Sequence, residues 1–256
     1  MIIKIYLKIY FIIYIISMYN PYFPFPKPVP SNIYNINHYH DRIPVKHYRP
    51  QTEPVTPNNL FKIVIILDES GSMESVRNNM IKSINDLIKE QKQIKERPAS
   101  FTLVKFNHLV NRVIKNISLE EISLLNSEDY TPSGGTALYD CIGDTIEWFR
   151  NEKDVLMIIV TDGQENSSKS FTKDEITRMI DEKKNKNGWT YVYLSNDLST
   201  ASQGDFLGFK KSDHATNNVI RQEEFATYLS NNVCEAISNC RKSGLSVQRQ
   251  LNHHIW

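Results

Sequence analysis

The sequence is poor in cysteine and carries almost no net charge, and each shortage excludes a class of protein. Its 256 residues include three cysteines, Cys141, Cys234 and Cys240, which are too few for a disulfide framework. Thirty Lys and Arg residues oppose 29 Asp and Glu residues, so the formal net charge at pH 7 is +1. A chain this close to neutral lacks the basic field of a general nucleic-acid binder. We therefore expect no disulfide scaffold and no nucleic-acid partner.

The sequence also lacks the short motifs of several enzyme classes. It contains no G-x-x-x-x-G-K-[S/T] loop, no G-x-G-x-x-G fingerprint after its first apolar run and no G-x-S-x-G elbow. Aspartyl-phosphate phosphatases need D-x-D after the first strand, but the residue two positions after Asp68 is Ser70. A metal-dependent hydrolase of phosphate esters remains the alternative, because a metal ion alone polarises a phosphate. His108 and His214 fall in polar turns and form no nucleophile–base pair, so we predict that the protein is not an enzyme.

The first 58 residues differ in composition from the rest of the chain. Residues 1–18 place two lysines before an apolar run over residues 9–16, the order found in a signal sequence or signal anchor. No small-x-small cleavage pattern follows, which favours a membrane anchor; if translation starts at Met18 instead, the protein is cytoplasmic. Residues 19–58 are rich in Pro, Tyr, Asn and His, which predicts a disordered linker.

From residue 61 onward, apolar strands alternate with amphipathic helices. Unbroken apolar runs typical of strands buried on both faces occupy residues 61–67, 155–160 and 189–194. Apolar residues at helical spacing predict helices over residues 74–90, 137–149 and 222–242. A hairpin over residues 101–106 and 109–114 adds one antiparallel edge strand. The alternation predicts a doubly wound, mostly parallel α/β sheet flanked by helices over residues 59–243, followed by a tail over residues 244–256.

Two of the predicted strands are followed closely by an aspartate. Asp68 opens the segment D-E-S-G-S, and Asp162 lies in T-D-G. Because ligands bind beyond the carboxyl ends of parallel strands, both carboxylates lie where such a fold places its site. Ser70, Ser72 and Thr136, the last in the segment S-G-G-T, add hydroxyl oxygens. An all-oxygen set of this kind suits a hard cation such as Mg²⁺.

These three segments resemble the metal-ion-dependent adhesion site of the von Willebrand factor A domain family, which includes the integrin inserted domain. D-E-S-G-S matches the D-x-S-x-S signature, S-G-G-T supplies the family's threonine and T-D-G its second aspartate, in the family's order. The resemblance covers residues 61 to about 242 and implies a Rossmann-like fold. It implies that Mg²⁺, or in its place Mn²⁺ or Ca²⁺, is held by Asp68, Ser70, Ser72, Thr136 and Asp162. It also implies that an acidic side chain of a partner protein completes the coordination shell.

The residues next to these five are candidates for the surface that meets the partner. They lie within the three segments or directly beside them and are Glu69, Gly134, Gly135, Gly163 and Glu165. Each segment alone is also ordinary turn and helix-capping chemistry, and the three together favour the metal site. The predicted function is that of a metal-dependent protein-binding module, either for adhesion or as an adaptor. Residues 1–18 would tether it to a membrane.

Overall fold

The computed structural model describes residues 60–196, 198–209 and 215–244. The predictions that lie outside the described residues concern the leader over residues 1–18, the linker over residues 19–58, His214 and the tail after residue 244. None of the helices in the described part is long and apolar enough to cross a membrane.

Strands and helices alternate along the described chain. The strands are β1 (Phe61–Asp68), β2 (Ala99–Phe106), β3 (Val110–Ser118), β4 (Val155–Val160), β5 (Thr190–Ser195) and β6 (Ala215–Val219). The helices are α1 (Arg77–Gln93), α2 (Leu138–Trp148), α3 (Lys173–Asn187), α4 (Leu198–Phe206), α5 (Phe225–Tyr228) and α6 (Cys234–Ser243). A π turn, Leu229–Val233, joins α5 to α6, and short 3-10 turns occupy Gly71–Val76, Leu119–Glu121, Ser127–Asp129 and Gln222–Glu224.

The strands form one six-stranded sheet in the order β3-β2-β1-β4-β5-β6. β1 pairs in parallel with β2 and β4, and the parallel ladder continues through β5 to β6. β3 pairs antiparallel with β2 at one edge. All of β4 is buried, as expected for a strand covered by helices on both faces. The predicted fold class, with its single antiparallel edge strand, is therefore confirmed.

The sheet separates two apolar clusters, one on each face. Because successive side chains of a strand point to opposite faces, β1 contributes Ile63, Ile65 and Leu67 to one cluster and Val64 and Ile66 to the other. Helices α1, α5 and α6 cover the first cluster, and α2 and α3 cover the second. Fully burying one such aliphatic side chain stabilises the fold by about 1.5–3 kcal/mol.

The apolar faces predicted for the first two helices are confirmed. Buried residues of the first are Met80, Ile84, Leu87 and Ile88, and Val76 is buried in the 3-10 turn that precedes it. Those of the second are Leu138, Cys141, Ile142 and Ile146. All three cysteines of the chain are buried as free thiols.

The predicted helix over residues 222–242 lies where expected but contains the π turn Leu229–Val233. Four of its fully buried apolar residues recur at every fourth position, and these are Phe225, Leu229, Val233 and Ile237. An α-helix has 3.6 residues per turn, so a strict spacing of four drifts away from the buried face. The wider π turn brings these positions back toward the core.

A buried arginine of helix α6 bonds to the backbone at the carboxyl end of α1. The Arg241 guanidinium donates hydrogen bonds to three backbone carbonyls, those of Gln91 (2.5 Å), Ile94 (2.8 Å) and Arg97 (2.7 Å). The Arg97 guanidinium lies 5.0 Å from the ring centroid of Phe61, the first residue of β1. The end of α6 and the start of β1 therefore meet at the sheet edge opposite the carboxyl ends of the parallel strands.

Two short elements, α4 and β6, were not predicted from the sequence. Their sequences, L-S-T-A-S-Q-G-D-F and A-T-N-N-V, mix small, polar and apolar residues without clear helical or strand periodicity. β6 nevertheless pairs in parallel with β5 and extends the sheet by one strand. Pairing with a neighbouring strand, which is a tertiary interaction, decides the conformation of β6.

Candidate metal site

Strand pairing places the two predicted carboxylates at the same edge of the sheet. β1 ends at Asp68, and its parallel neighbour β4 ends at Val160, two residues before Asp162. The 3-10 turn Gly71–Val76 begins directly after Ser70. Asp68 therefore ends one central strand and Asp162 lies just beyond the carboxyl end of another, as the sequence predicts.

A chain of short hydrogen bonds links four of the five predicted ligands. The Ser70 backbone N–H donates to Asp68 Oδ1 at 2.7 Å, and the Ser70 and Ser72 hydroxyl oxygens lie 3.1 Å apart. The Ser72 hydroxyl donates to Asp162 Oδ1 at 2.6 Å. These contacts bring the two strand ends together through the hydroxyl groups of the D-E-S-G-S segment.

The fifth predicted ligand, Thr136, lies across Gly163 from Asp68. A Cβ atom added to Gly163 would lie 2.8 Å from Thr136 Oγ1 and 3.5 Å from Asp68 Oδ2. Asn166 holds the threonine in place, because its Oδ1 accepts the Thr136 N–H at 2.9 Å and its N–H donates to the Thr136 carbonyl at 3.0 Å. All five predicted ligands thus converge, and glycine leaves space between two of them.

Burial dominates the electrostatics of Asp68. Its side chain is fully buried, and the loss of hydration raises the pKa of its carboxyl group to about 6. Hydrogen bonds from Thr161, at 2.7 Å to Oδ2, and from Ser70 oppose this shift, whereas the nearby charge of Asp162 adds to it. A carboxylate that is costly to ionise gains stabilisation from a cation beside it.

Tyr130 supports Asp68 from the backbone side. The buried Tyr130 hydroxyl donates to the Asp68 carbonyl at 2.6 Å, and burial raises the pKa of this phenol so that it stays a donor. The Tyr130 carbonyl in turn accepts from Arg77 Nε at 2.7 Å. The end of β1 is therefore braced by the segment that leads to Thr136.

The structure places Glu69 in the interior, which corrects the prediction that it lies on the partner-binding surface. Glu69 is 6% exposed, and its Oε1 accepts from Lys105 Nζ at 2.5 Å and from the Thr131 N–H at 2.6 Å. Lys105 reaches it because β1 and β2 are paired in register. Glu69 therefore anchors the loop before Thr136 from inside the protein.

Glu165 also has a structural role in this conformation. Its carboxylate accepts from the N–H groups of Tyr139 at 3.0 Å, Ser167 at 2.8 Å and Ser168 at 2.7 Å. It thereby caps the start of α2, since an acidic group satisfies free N–H groups there. Glu165 is half-buried, and its contact with a partner stays a prediction.

The three predicted glycines lie next to predicted ligands in the chain, Gly134 and Gly135 before Thr136 and Gly163 after Asp162. Gly134 is exposed and adopts φ +74°, and a Cβ atom there would lie 2.5 Å from the imidazole Nδ1 of His108. Gly135 and Gly163 are half-buried. A Cβ atom on Gly135 would collide with the Ser167 hydroxyl and would lie 2.7 Å from Asn166 Oδ1. A side chain at any of the three positions would collide with a neighbouring side chain, and the contact of all three with a partner stays a prediction.

Sequence reasoning missed Gln222, which lies in the turn before α5. Its Nε2 donates to the Ser72 carbonyl at 2.8 Å and also to Asp162 Oδ2. Gln222 is 60 residues from Asp162 in the chain, and no local pattern marks it. Thr161, which bonds to Asp68, had a usable signal because it directly precedes Asp162.

The donor set fits a hard divalent cation. Two carboxylates and three hydroxyls lie together at one edge of the sheet, and hard cations prefer oxygen ligands of this kind. Across residues 60–244 as far as they are described, no group of three or more His, Cys, Asp or Glu side chains forms another candidate site. The residues that would hold the ion are Asp68, Ser70, Ser72, Thr136 and Asp162.

The class of protein that this sheet defines is a doubly wound α/β domain, with carboxylates and hydroxyls at the carboxyl ends of its central strands. A family model for the von Willebrand factor type A domain matches residues 62–227, more than half of the chain. The chain belongs to this family, which confirms the family predicted from the sequence. Domains of this family are protein-interaction modules, and the family binds a divalent metal at its adhesion site.

Solved structures share the fold at low sequence identity. The von Willebrand factor type A protein from Catenulispora acidiphila has a TM-score of 0.52 and 18% identity, with 72% of this chain and 43% of that chain covered. The von Willebrand factor domain of the type V pili tip protein Mfa5 from Porphyromonas gingivalis has a TM-score of 0.52 and 12% identity, with 71% and 96% covered. Proximal thread matrix protein 1 from the mussel byssus has a TM-score of 0.49 and 17% identity, with 68% and 45% covered.

The chain spans less than half the length of the Catenulispora and mussel proteins. No curated protein matches the sequence. The two likenesses with a TM-score of 0.52 support the fold, and the domain bounds of 59–243 stay a prediction.

Proposed function

We propose that the domain is a cation-dependent protein-binding module that captures an acidic side chain of a partner protein. The observation that supports this proposal is the convergence of two aspartates and three hydroxyl residues at one sheet edge, with Asp68 fully buried. Mg²⁺ is the proposed ion, and Mn²⁺ or Ca²⁺ can take its place.

The hydroxyl groups are suited to direct contact with the ion. Ser72 directs its proton to Asp162 Oδ1 and accepts from the Ser70 hydroxyl, so one lone pair of its oxygen remains available to a cation. Neutral oxygens bring less negative charge to the ion than carboxylates do. A bound Mg²⁺ would supply an electrophilic centre with affinity for a carboxylate oxygen of the partner.

We propose binding without catalysis. The Ser70 and Ser72 hydroxyls contact each other, and Ser72 bonds to the Asp162 carboxylate. An activated serine nucleophile would instead bond to a general base such as an imidazole. Neither serine bonds to an imidazole among the described residues, which argues against a serine nucleophile. Hydrolysis of a phosphate ester through the metal ion alone stays the alternative.

The setting of the domain is a proposal as well. A type V pili tip protein carries the same fold, which is compatible with an adhesion role, and an adaptor role uses the same chemistry. Anchoring through residues 1–18 would place the module at a membrane, whereas a start at Met18 would leave it cytoplasmic. Alkaline carbonate extraction of cell membranes tests the anchor, because release of the full-length chain would exclude it.

Calorimetric titration of the full chain with Mn²⁺ and Mg²⁺ tests the proposed site. We expect saturable binding by the wild type and its loss in the Ser70→Ala, Ser72→Ala double variant. Ser75→Ala is the matched control, because Ser75 is exposed in the same 3-10 turn. Equal binding by the double variant and the control would refute the site.

An immobilised peptide library tests the partner chemistry. We expect retention of peptides that carry Asp or Glu, loss of retention with EDTA, and no retention of the corresponding Asn and Gln peptides. Metal-independent retention, or equal retention of amide peptides, would refute capture of a carboxylate while leaving the metal site in place.

A further inference from the structure

Gln222 reaches the proposed metal site from a separate part of the chain. It opens the 3-10 turn Gln222–Glu224, directly before α5, and its side chain is half-buried. Its amide Nε2 donates to the Ser72 carbonyl at 2.8 Å and to Asp162 Oδ2. One side chain thus bridges two of the segments that build the site.

The identity of the atom that faces Asp162 follows from its second partner. A backbone carbonyl only accepts hydrogen bonds, so the atom opposite the Ser72 carbonyl must be the NH₂ group. The same nitrogen lies against Asp162 Oδ2. The orientation of this amide is therefore fixed by the network, although Asn and Gln termini are otherwise ambiguous.

Both oxygens of Asp162 accept protein donors in this arrangement. Oδ1 accepts the Ser72 hydroxyl at 2.6 Å, and Oδ2 accepts the Gln222 amide. An NH₂ group carries partial positive charge and offers no lone pair to a cation. The NH₂ group of Gln222 therefore stabilises the Asp162 carboxylate in the way that a cation and its bound waters would.

We propose that Gln222 is an internal competitor of the cation, which stabilises Asp162 in the cation-free domain and gives way when the ion binds. This inference rests on the proposed function. By linkage, a contact made only in the cation-free state stabilises that state and weakens cation affinity by the same factor. A hydrogen bond to a charged group corresponds to a factor of about 10 in such an equilibrium.

Two substitutions remove the amide in different ways. Gln222→Ala removes the whole side chain, and Gln222→Met keeps a chain of similar length without a donor. We expect each to bind Mn²⁺ about tenfold more tightly than the wild type. Gln93→Ala is the matched control, because Gln93 is exposed at the end of α1, and its affinity should equal that of the wild type.

The full chain is titrated with Mn²⁺, and electron paramagnetic resonance measures the concentration of the free ion at each step. Thermal unfolding in EDTA and in saturating Mn²⁺ accompanies it. We expect both Gln222 variants to unfold at a lower temperature than the wild type in EDTA and at the same temperature in saturating Mn²⁺. The unfolding temperatures report the contact between Gln222 and Asp162 and do not depend on partner binding.

Three other results overturn the inference and are distinguishable. If the wild type binds Mn²⁺ and the Gln222 variants bind equally, the amide does not compete. If the variants bind more weakly, Gln222 positions Asp162 for the ion. If neither the wild type nor any variant binds, the proposed function fails and the inference fails with it.

Discussion

The two aspartates of the site have different surroundings, although both follow central parallel strands. Asp68 is fully buried and is held by Ser70, Thr161 and, through its carbonyl, Tyr130. Asp162 is 9% exposed and accepts hydrogen bonds from the side chains of Ser72 and Gln222. Asp68 thus belongs to the scaffold, whereas Ser72 and Gln222 approach Asp162 from surface turns. The core of the protein therefore fixes the Asp68 side of the site, whereas side chains from surface turns hold the Asp162 side and can be replaced by other ligands.

Breaking the buried ion pair beneath Asp68 should have the largest effect. Lys105→Met leaves the Glu69 carboxylate buried without its cation, and we expect a loss of about 3–5 kcal/mol of unfolding free energy. Urea denaturation measures it. The charge-free double variant Glu69→Gln, Lys105→Met should recover most of the loss. Lys82→Met breaks an exposed pair and should change stability by less than about 1 kcal/mol. Equal losses in Lys105→Met and Lys82→Met would contradict the scaffold role of this side.

Removing the charge of Asp68 should reveal a pH dependence. Its pKa is raised from 3.8 to about 6 in the folded state, so the folded state binds the proton more tightly. The stabilisation is complete below pH 4 and is lost as pH rises through about 6, a change of about 3 kcal/mol. Relative to Asp68→Asn, the cation-free wild type should therefore lose stability over this window. Urea midpoints from pH 4 to 8 measure it.

Asp86 provides a control of opposite sign for this titration. The Lys82 hydrogen bond lowers the pKa of the exposed Asp86 carboxyl. Stability contributed by that group is present above its unfolded pKa and is lost as pH falls, mostly below pH 4. Asp86→Asn should therefore leave the pH dependence between pH 4 and 8 nearly unchanged and should remove a small decrease in stability below pH 4. If Asp68→Asn and the wild type kept a constant difference from pH 4 to 8, the raised pKa of Asp68 would be refuted.

Adding a side chain at Gly163, between Thr136 and Asp68, should weaken cation binding while the domain still folds. A Cβ atom on Gly163 meets Thr136 Oγ1 at 2.8 Å, so Gly163→Ala displaces the threonine, at a cost of about 2 kcal/mol. We expect a loss of Mn²⁺ affinity of at least tenfold by calorimetry. Gly71→Ala is the control, because the nearest atom to its Cβ is 3.9 Å away. Unchanged affinity in Gly163→Ala would show that Thr136 does not contribute to the site.

The smallest expected effect concerns a single donor to Asp68. Thr161→Val removes the hydroxyl that donates to Oδ2 at 2.7 Å, which should cost about 1.5 kcal/mol above pH 6. It should also move the pH midpoint of Mn²⁺ binding upward, because Asp68 then holds its proton more tightly. Thr145→Val is the control, since Thr145 bonds to the neutral carbonyl of Cys141. Equal pH midpoints for the two variants would contradict this support of Asp68.

The parts of the site on the strands and in short motifs were predictable, because local sequence determines them. The apolar runs end just before Asp68 and Asp162, and burial on both faces makes such runs central strands. Parallel pairing then brings their ends together. The rest depended on long-range contacts. The burial of Glu69 requires Lys105 from the paired strand, and Gln222 approaches Asp162 only after the chain has crossed β5 and β6.

The same distinction explains the errors in the fold. The helix over residues 222–242 was predictable from its apolar spacing, but the π turn Leu229–Val233 depends on how that spacing meets the core. The edge strand β6 lacks an apolar pattern, and its pairing with β5 defines it.

The meeting of α6 with the start of β1 determines how the domain would respond to mechanical load. Arg241 bonds to the carbonyls near the end of α1, and Arg97 lies over the ring of Phe61. Asp68 lies at the other end of β1, roughly 23 Å away at the usual rise per residue. Tension applied between Phe61 and Gly244 acts first on the arginine contacts between α6 and α1. The candidate cation site lies at the opposite end of β1, so such tension would reach it only after α6 detaches.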